Sequence, residues 1–378
     1  MKKYITTISE KLSWLMMALV IAAAGYFVTS CEQEEDYGVP VITKVRIVAK
    51  DSAITEGQMG QMIVIQGKNL SSTMHIYFNN VEAFFMPTLV TDKNIIVTIP
   101  GVFPTEINNK ITVVTKGGQA TYDFPVLIPP PDADTIPLEY VPDGEILQIK
   151  GKYFVNLIKV VFPGEVEGTI VSYTDKLINV KVPEGAQPGK VKVYAVAGMD
   201  STDSWFRDNR NVFVNFDDKP ICWGGDAYVR DPETLPSDFP VKPISGKFYY
   251  LKQDYGDNQW WVQETVIAYC GDLQVEGNPA DYDLRFEMWV GDTKFDKDWF
   301  EVGMVDAGFI EWKPYTANFG GKVYEKTGWM TVSIPLEKWP NIAGKPLKLD
   351  RFGSWKSQFA MTFDFAFDNF RIVPKIRK

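Results

Sequence analysis

Ile63-Val64-Ile65-Gln66-Gly67-Lys68-Asn69-Leu70 and Leu147-Gln148-Ile149-Lys150-Gly151-Lys152-Tyr153-Phe154 decide the fold, because they are two copies of one pattern. Each is a short apolar strand that runs into a glycine, and the two glycines are 84 residues apart. A second pair of matching stretches, 92–100 and 175–183, is 83 residues apart. A unit of this length has the size of one immunoglobulin-type β-sandwich. The sequence therefore predicts two such domains in tandem.

The residues around the repeats also favour a β-sandwich. Short alternating strands rich in Val, Ile, Thr and aromatics are separated by Gly, Asn, Asp and Pro, and no long amphipathic helix is present in the sequence. Gly67 and Gly151 are predicted to supply a backbone conformation that a side chain would resist. The I-x-I-x-G-x-x-L/F pattern, found twice in register, resembles the IPT/TIG family of immunoglobulin-like domains.

That resemblance sets the predicted domain boundaries. It implies a first IPT/TIG-like domain at 39–129 and a second at 130–215. A run of prolines, 129–131, lies between them, and consecutive prolines favour a stiff, extended backbone. The pair is therefore interpreted mainly as a spacer, with ligand binding by the repeats themselves as the less favoured alternative.

The N-terminus has the pattern of an export signal. Lys2 and Lys3 precede an apolar run at 12–28, and small residues then lead to Cys31. This junction resembles a bacterial lipobox, which implies that 1–30 is a signal peptide and that Cys31 is lipidated. The acidic tether at 31–38 resembles the export signal of surface lipoproteins in Sus-like glycan uptake systems. The alternative is a membrane-spanning helix, but no basic stop-transfer cluster follows the run.

Composition narrows the classes of function. The chain has 378 residues, 45% of them hydrophobic, and a formal net charge of −9. This acidic balance disfavours binding to nucleic acid or to anionic membrane surfaces, and does little to hinder a neutral sugar polymer. Apart from Cys31, only Cys222 and Cys270 remain, too few for a disulfide framework or a zinc cage. Two small buried side chains are the favoured interpretation of this pair.

Tryptophan marks a third domain, predicted at 216–378. Nine of the eleven tryptophans lie between Trp223 and Trp355. Some of these rings must form core, because tryptophan is a large apolar side chain. A domain of this size is not expected to bury all nine, so some should face water or a ligand.

Strand alternation and turn composition select candidate ligand-binding residues. In 283–290, one face is apolar and the opposite face combines charged residues with an indole. A flat ring can stack on the C–H face of a pyranose while neighbouring polar groups bond its hydroxyls, each bond adding only about 1 kcal/mol. The strongest predicted glycan contacts are Trp261, Trp289 and Trp312, followed by Tyr315, Trp299, Trp260, Arg285 and Glu287. For each single ring, core packing remains an equal alternative.

Three short segments in this domain resemble jelly-roll carbohydrate-binding modules. They are 328–336, 367–372 and the opening segment 214–218. The resemblance implies a jelly-roll-like β-sandwich, and many such modules hold a structural calcium between their first and last strands. Asp217 and Asp368 would be its carboxylates here, although a hydrogen-bonded turn is the favoured alternative because two acids are few for a calcium site.

Enzymatic function is disfavoured by residue types. The only histidine, His75, lies in the first repeat, which excludes histidine-based triads in the third domain. Glycoside hydrolysis needs only two carboxylates. Glu264, Glu287, Glu301 and Glu311 are candidates, but none forms a pair that local sequence distinguishes.

The order of the parts gives the most specific resemblance. Signal, acidic tether, tandem IPT-like domains and an aromatic C-terminal domain together resemble surface glycan-binding proteins of Sus-like uptake systems. This implies an all-β, non-catalytic lipoprotein of the outer membrane and cell surface. Its implied partners are a polysaccharide, a TonB-dependent SusC-like transporter and a SusD-like lipoprotein. β-Glucan, mannan and xyloglucan-like polymers are all compatible. The alternatives are a protein-binding adhesin and a jelly-roll glycoside hydrolase or lyase.

Overall fold

A computed structural model describes residues 36–219, 221, 225–257, 267–269, 271, 273, 275–295, 297, 299–317, 328–353 and 359–376. The chain divides into two compact units after Leu127, and each is described by itself. The predicted all-β architecture is confirmed: two immunoglobulin-like sandwiches followed by a jelly-roll-like sandwich. Across the ranges that the structure describes, no helix has the length and apolar character needed to cross a membrane.

The first unit is an immunoglobulin-like sandwich. Its sheets have the orders β1-β3-β6 and β5-β4-β7-β8, with a short parallel pair β2-β9. Alternate residues such as Ile63, Ile65 and Phe78 point into one core. A 3₁₀ turn, Pro87–Leu89, precedes β6. The strands are β1 Val41–Ile47, β2 Gly57–Gln58, β3 Met62–Lys68, β4 Thr73–Phe78, β5 Val81–Glu82, β6 Asn94–Thr98, β7 Lys110–Thr115, β8 Gly118–Asp123 and β9 Val126–Leu127.

The second unit begins with another immunoglobulin-like sandwich. Its strands follow one path, β10-β11-β14-β13-β12-β15-β16, around a core that includes Leu147, Ile149 and Phe162. The strands are β10 Asp132–Thr135, β11 Ile146–Lys152, β12 Leu157–Phe162, β13 Val166–Tyr173, β14 Leu177–Lys181, β15 Lys192–Ala195 and β16 Gly198–Ser201.

The repeated glycines have the same structural role in both domains. The sequence-based expectation of a special backbone conformation is wrong, because neither glycine is among those with positive φ. A Cβ on Gly67 would instead lie 1.9 Å from the carbonyl oxygen of Val41, and one on Gly151 would lie 2.1 Å from that of Asp132. Only glycine allows the edge strand to approach this closely.

The C-terminal sandwich packs two sheets against each other. The larger has the order β18-β19-β26-β21-β24 with β17 paired to β26, and the smaller has the order β20-β25-β22-β23. Short 3₁₀ turns are Asp226–Tyr228, Pro232–Thr234, Pro279–Asp281 and Leu336–Lys338, and Pro314–Ala317 forms one helical turn. The strands are β17 Val212–Val214, β18 Val229–Arg230, β19 Phe248–Tyr255, β20 Ile267–Ala268, β21 Tyr282–Val290, β22 Phe300–Met304, β23 Gly308–Trp312, β24 Gly328–Pro335, β25 Leu349–Gly353 and β26 Met361–Pro374.

The core between these sheets is strongly aromatic. Phe286, Phe300, Phe352 and Phe367 lie within a network of stacked and edge-on ring contacts. The predicted inward faces are confirmed: Leu284, Phe286, Met288 and Val290 in β21, and Phe300, Val302 and Met304 in β22, are all buried in it. Each sheet therefore has one face in this core and one outer face.

Candidate functional site

The outer face of the six-stranded sheet is covered. Trp289 points away from the main core, as alternation predicts, but only 7% of it is exposed. It packs in a second apolar cluster with Tyr250, beneath Phe239 and Val241 of the segment that precedes β19. The prediction that Trp289 offers a ring to a ligand is therefore wrong, because this segment occupies the space that a ligand would need.

Arg285 and Glu287 lie on the same covered face, and each forms an ion pair with another residue. Arg285 bonds Glu139 of the second immunoglobulin-like domain at 2.8 Å. Arg371 bonds Glu139 at 2.6 Å and Glu287 at 2.8 Å. Burial raises the pKa of Glu287 to about 7, and Arg371 opposes that shift. Arg285 thus joins two domains, and Glu287 is held in a buried ion pair within the C-terminal sandwich, so the prediction that these two residues contact a glycan is wrong.

Trp312 is also a core residue. It is the last residue of β23, is 3% exposed, and packs edge-on against Phe286 with the ring centroids 5.5 Å apart. The turn residues after it suggested a loop, but the ring belongs to the inward-facing positions of the strand. Its prediction as a ligand contact is wrong. Tyr315, in the helical turn that follows, is partly buried against the same core.

The remaining predicted residues are less enclosed or are not described. Trp299 is half-buried just before β22, and the Lys313 ammonium lies 5.3 Å from its ring centroid. Trp260 and Trp261 lie outside the described residues, as do Cys31, Cys222, Cys270 and Glu264.

Among the described residues, the outer face of the four-stranded sheet is open, and it contains an aromatic–cation pair. Phe309 of β23 is 45% exposed. Its ring lies over the backbone of Gly303 in the neighbouring strand, where a Cβ would be only 2.5 Å from a ring carbon. The Arg351 guanidinium of β25 lies 4.2 Å from the centroid of that ring. The absence of a side chain at Gly303 therefore lets the ring lie close to the sheet.

Carboxylates flank this pair. Glu301 and Glu311 are opposite one another in the β22–β23 ladder, and Gly303 is opposite both Phe309 and Arg351. Burial raises the pKa of Glu301, Arg351 lowers it, and Glu311 raises it further. The Lys313 ammonium is 3.9 Å from Glu311. We call Glu301, Gly303, Phe309, Glu311 and Arg351 the open face. It offers a flat ring with hydrogen-bond donors and acceptors around it.

Sequence reasoning missed Phe309 and Arg351. The stretch Gly308–Trp312 alternates, with Ile310 and Trp312 facing the core, so the same rule that sorted β21 places Phe309 beside Glu311. The alternation is visible in the sequence, but the predicted glycan contacts did not include Phe309 or Arg351.

The proposed calcium residues are engaged in hydrogen bonds. Asp368 is fully buried and accepts from the Ser245 hydroxyl at 2.7 Å and from the Asn369 amide at 2.8 Å. Asp217 accepts from the Lys247 amide at 2.8 Å. Within the ranges that the structure describes, no group of three or more acidic, histidine or cysteine side chains is placed to hold a metal ion. These donors fit a hydrogen-bonded turn better than a calcium cage of six to eight oxygens.

Two immunoglobulin-like domains and a jelly-roll-like domain with an open aromatic face define a multidomain carbohydrate-binding class. The comparisons agree. Residues 206–374 match the family described as surface glycan-binding protein B xyloglucan binding domain, and 46–126 match the IPT/TIG domain. An IPT/TIG domain-containing protein of Bacteroides ovatus is 33% identical, with 92% of this chain and 95% of that protein covered. The chain therefore belongs to the family of this IPT/TIG domain-containing protein.

Two solved structures share the fold. The surface glycan-binding protein PbSGBP-B of Prevotella bryantii aligns with a TM-score of 0.61 at 20% identity, covering 89% of this chain and 99% of that one. SGBP-B from a complex xyloglucan utilization locus in Bacteroides uniformis aligns with a TM-score of 0.51 at 18% identity, covering 89% and 100%. The order of domains predicted from the sequence therefore matches a known architecture.

Proposed function

We propose that this protein captures a neutral β-glucan of the xyloglucan type at the cell surface and does not cleave it. The observation that carries the proposal is the open face, where Phe309 lies flat, exposed and flanked by Arg351, Glu301 and Glu311. The match of residues 206–374 to a xyloglucan-binding domain family supports this choice of polymer over mannan.

The shape of the open face suits the interior of a polymer chain. Because Phe309 is exposed on the outer face of a sheet, a long chain can pass across its ring. Hydroxyls on the rim of a sugar ring can bond the two carboxylates and the guanidinium, each bond replacing one to water for a net gain of about 1 kcal/mol. Affinity for one short segment is therefore modest, and many copies on one cell raise the overall avidity.

Binding without catalysis is favoured by how the carboxylates are used. Glu287 is held by Arg371 in a buried ion pair and cannot reach a sugar. Glu301 and Glu311 are near each other, but they lie on an exposed sheet face that does not enclose a glycosidic bond. A glycosidase needs one acid and one base or nucleophile on opposite sides of that bond.

The same proposal includes the anchor and the partners. Lipidation of Cys31 would hold the chain on the outer membrane, and the acidic tether would direct it to the cell surface. A TonB-dependent SusC-like transporter and a SusD-like lipoprotein would then receive the captured polymer. The resemblance of the whole chain to Sus-like surface proteins supports these assignments.

Affinity electrophoresis tests the binding. The purified protein is run through gels that contain xyloglucan, a mixed-linkage β-glucan, mannan or no polysaccharide. Strong retardation by xyloglucan and little by mannan is expected. Equal mobility in all four gels would contradict the proposed function.

A reducing-end assay tests the absence of catalysis. The protein is incubated with the polymer that retards it most, and new reducing ends are measured against a known β-glucanase as the positive control. No increase is expected. A steady increase that disappears in Glu301→Gln would show that the open face is an active site.

A further inference from the structure

A groove lies at the junction of the second immunoglobulin-like domain and the C-terminal sandwich. One wall is formed by Leu138, Pro142 and Ile146 of the second immunoglobulin-like domain. The other wall comes from Pro243, Ile244 and Trp329 of the sandwich. The cavity has a volume of about 490 Å³, within the range of about 300–1,000 Å³ typical of ligand-binding clefts.

The two walls are held together by a buried interface. Next to Leu138, the Pro137 carbonyl accepts from the Thr331 amide at 2.9 Å, and the Glu139 amide donates to the Thr331 hydroxyl at 2.8 Å. The Glu139 carboxylate bonds Arg371 at 2.6 Å. The groove is therefore preformed, and a ligand would not have to order its walls on binding.

The Trp329 ring is fixed within this groove. Its Nε1 donates to the Lys242 carbonyl at 2.8 Å. Phe248 packs edge-on to it, with the ring centroids 6.0 Å apart and the planes at 86°. Trp329 is only half-buried, so part of the indole remains available to line the groove. An oriented indole among aliphatic and proline side chains is suited to the C–H face of a sugar.

The polar residues of the groove favour an uncharged ligand. The Asp143 carboxylate is neutralised by Arg207 at 2.7 Å. Glu145 and Lys242, which carry opposite charges, are both exposed at the rim. Because each of these carboxylates is matched by a cation, the groove has no net charge to attract an acidic polysaccharide, while a neutral sugar could use the same groups as hydrogen-bond partners.

We propose that this junction groove is a second saccharide subsite, which binds a segment of the neutral polysaccharide whose main contact is the open face. The inference rests on the proposed function and extends it. The second immunoglobulin-like domain then contributes to binding directly and does not act only as a spacer. A polymer long enough to reach both surfaces would gain avidity that a short oligosaccharide lacks.

A matched pair of substitutions tests the subsite. Ile146→Arg places a long charged side chain in the groove from a position that is 43% exposed. Ile158→Arg makes the same change in the same domain at a residue that is 62% exposed and does not line the groove. Xyloglucan polymer is expected to bind Ile146→Arg about tenfold more weakly, the loss of one contact of about 1.4 kcal/mol. Ile158→Arg should bind as the unmodified protein does.

A direct readout follows the Trp329 indole by NMR. Its N–H resonance is assigned from its loss in Trp329→Phe and is then titrated with a xyloglucan oligosaccharide. A saturable shift in the unmodified protein, absent in Ile146→Arg, is expected. The subsite is overturned if the resonance does not move, or if Ile146→Arg binds the polymer normally. Either result leaves the proposed function intact. A shift caused by polygalacturonate and not by xyloglucan would overturn the assignment of a neutral polysaccharide to this groove. Failure of the unmodified protein to bind any polysaccharide would overturn both proposals.

Discussion

The two outer faces of the C-terminal sandwich carry the same kinds of residue and have opposite environments. The six-stranded sheet presents Trp289 and Glu287, which are at most 7% exposed. The four-stranded sheet presents Phe309, which is 45% exposed, beside Glu301. An aromatic ring among charged side chains therefore does not identify a binding surface by itself. What covers the face decides its role.

The cover of the six-stranded sheet comes from distant parts of the chain. Glu139, which pairs with Arg285 and Arg371, precedes them by 146 and 232 residues. Phe239 and Val241 come from a loop before β19. The four-stranded sheet receives no such cover over its described outer face, where Phe309 remains exposed. Charges on the first face thus stabilise the fold, whereas Glu301 and Glu311 on the second face lie beside an exposed ring.

The largest expected effect comes from removing an arginine on the covered face. Arg371→Met leaves the buried carboxylates of Glu139 and Glu287 without their shared partner. Loss of one partner from a buried ion pair costs about 3–5 kcal/mol. Urea unfolding followed by tryptophan fluorescence should show a destabilisation of that size.

Arg351→Met is the matched control on the open face. A partly exposed cation contributes less than about 1 kcal/mol to stability, so its unfolding midpoint should be close to that of the unmodified protein. Equal destabilisation by the two substitutions would show that the faces do not differ in the way described.

An intermediate effect is expected from Gly303→Ala. The added Cβ would meet the Phe309 ring at 2.5 Å, so the ring must tilt away from the sheet. Because the ring is exposed, the fold should tolerate this, while affinity for xyloglucan should fall by about threefold to tenfold, or about 0.7–1.4 kcal/mol. Isothermal titration calorimetry measures the change. Gly101→Ala is the control, since its Cβ would meet no atom within 4 Å. Unchanged affinity of Gly303→Ala would mean that the ring's position is irrelevant.

The smallest expected effect is a pH dependence of binding through Glu301. Its pKa is raised above the ordinary value of 4.5, chiefly by burial. If the carboxylate accepts sugar hydroxyls, affinity should fall as the pH decreases through the raised pKa. The raised pKa has the opposite effect on folding. The free energy of unfolding should increase as the pH falls, because the folded state binds the proton more tightly than the unfolded state. Binding titrations between pH 4 and pH 8 should show affinity falling toward low pH. This pH dependence should be absent in Glu301→Gln.

Much of this fold could be predicted because its determinants are local. Alternation correctly assigned the inward faces of β21 and β22, and the repeated glycine pattern identified two immunoglobulin-like domains. The site was harder to predict, because burial of an outward-facing residue depends on contacts that no local pattern encodes. Trp289 was assigned to the correct side of its strand, but the loop that covers it was not foreseen.

Two further residues show the same limit. Trp312 ends a strand and faces the core, although the turn residues after it suggested an exposed loop. Position 67 requires glycine because the carbonyl of Val41, 26 residues earlier, approaches it closely. The backbone angles of Gly67 do not themselves require glycine. In both cases the deciding neighbour is distant in sequence.

The most direct test of the account compares two exposed phenylalanines. Phe309→Ala removes the ring of the open face, and Phe84→Ala removes a ring that is 81% exposed on the first immunoglobulin-like domain. In xyloglucan gels, Phe309→Ala should lose most of its retardation while retaining the unmodified unfolding midpoint, and Phe84→Ala should migrate as the unmodified protein does. If Phe309→Ala is retarded as strongly as the unmodified protein, the open face is not the surface that captures the polymer.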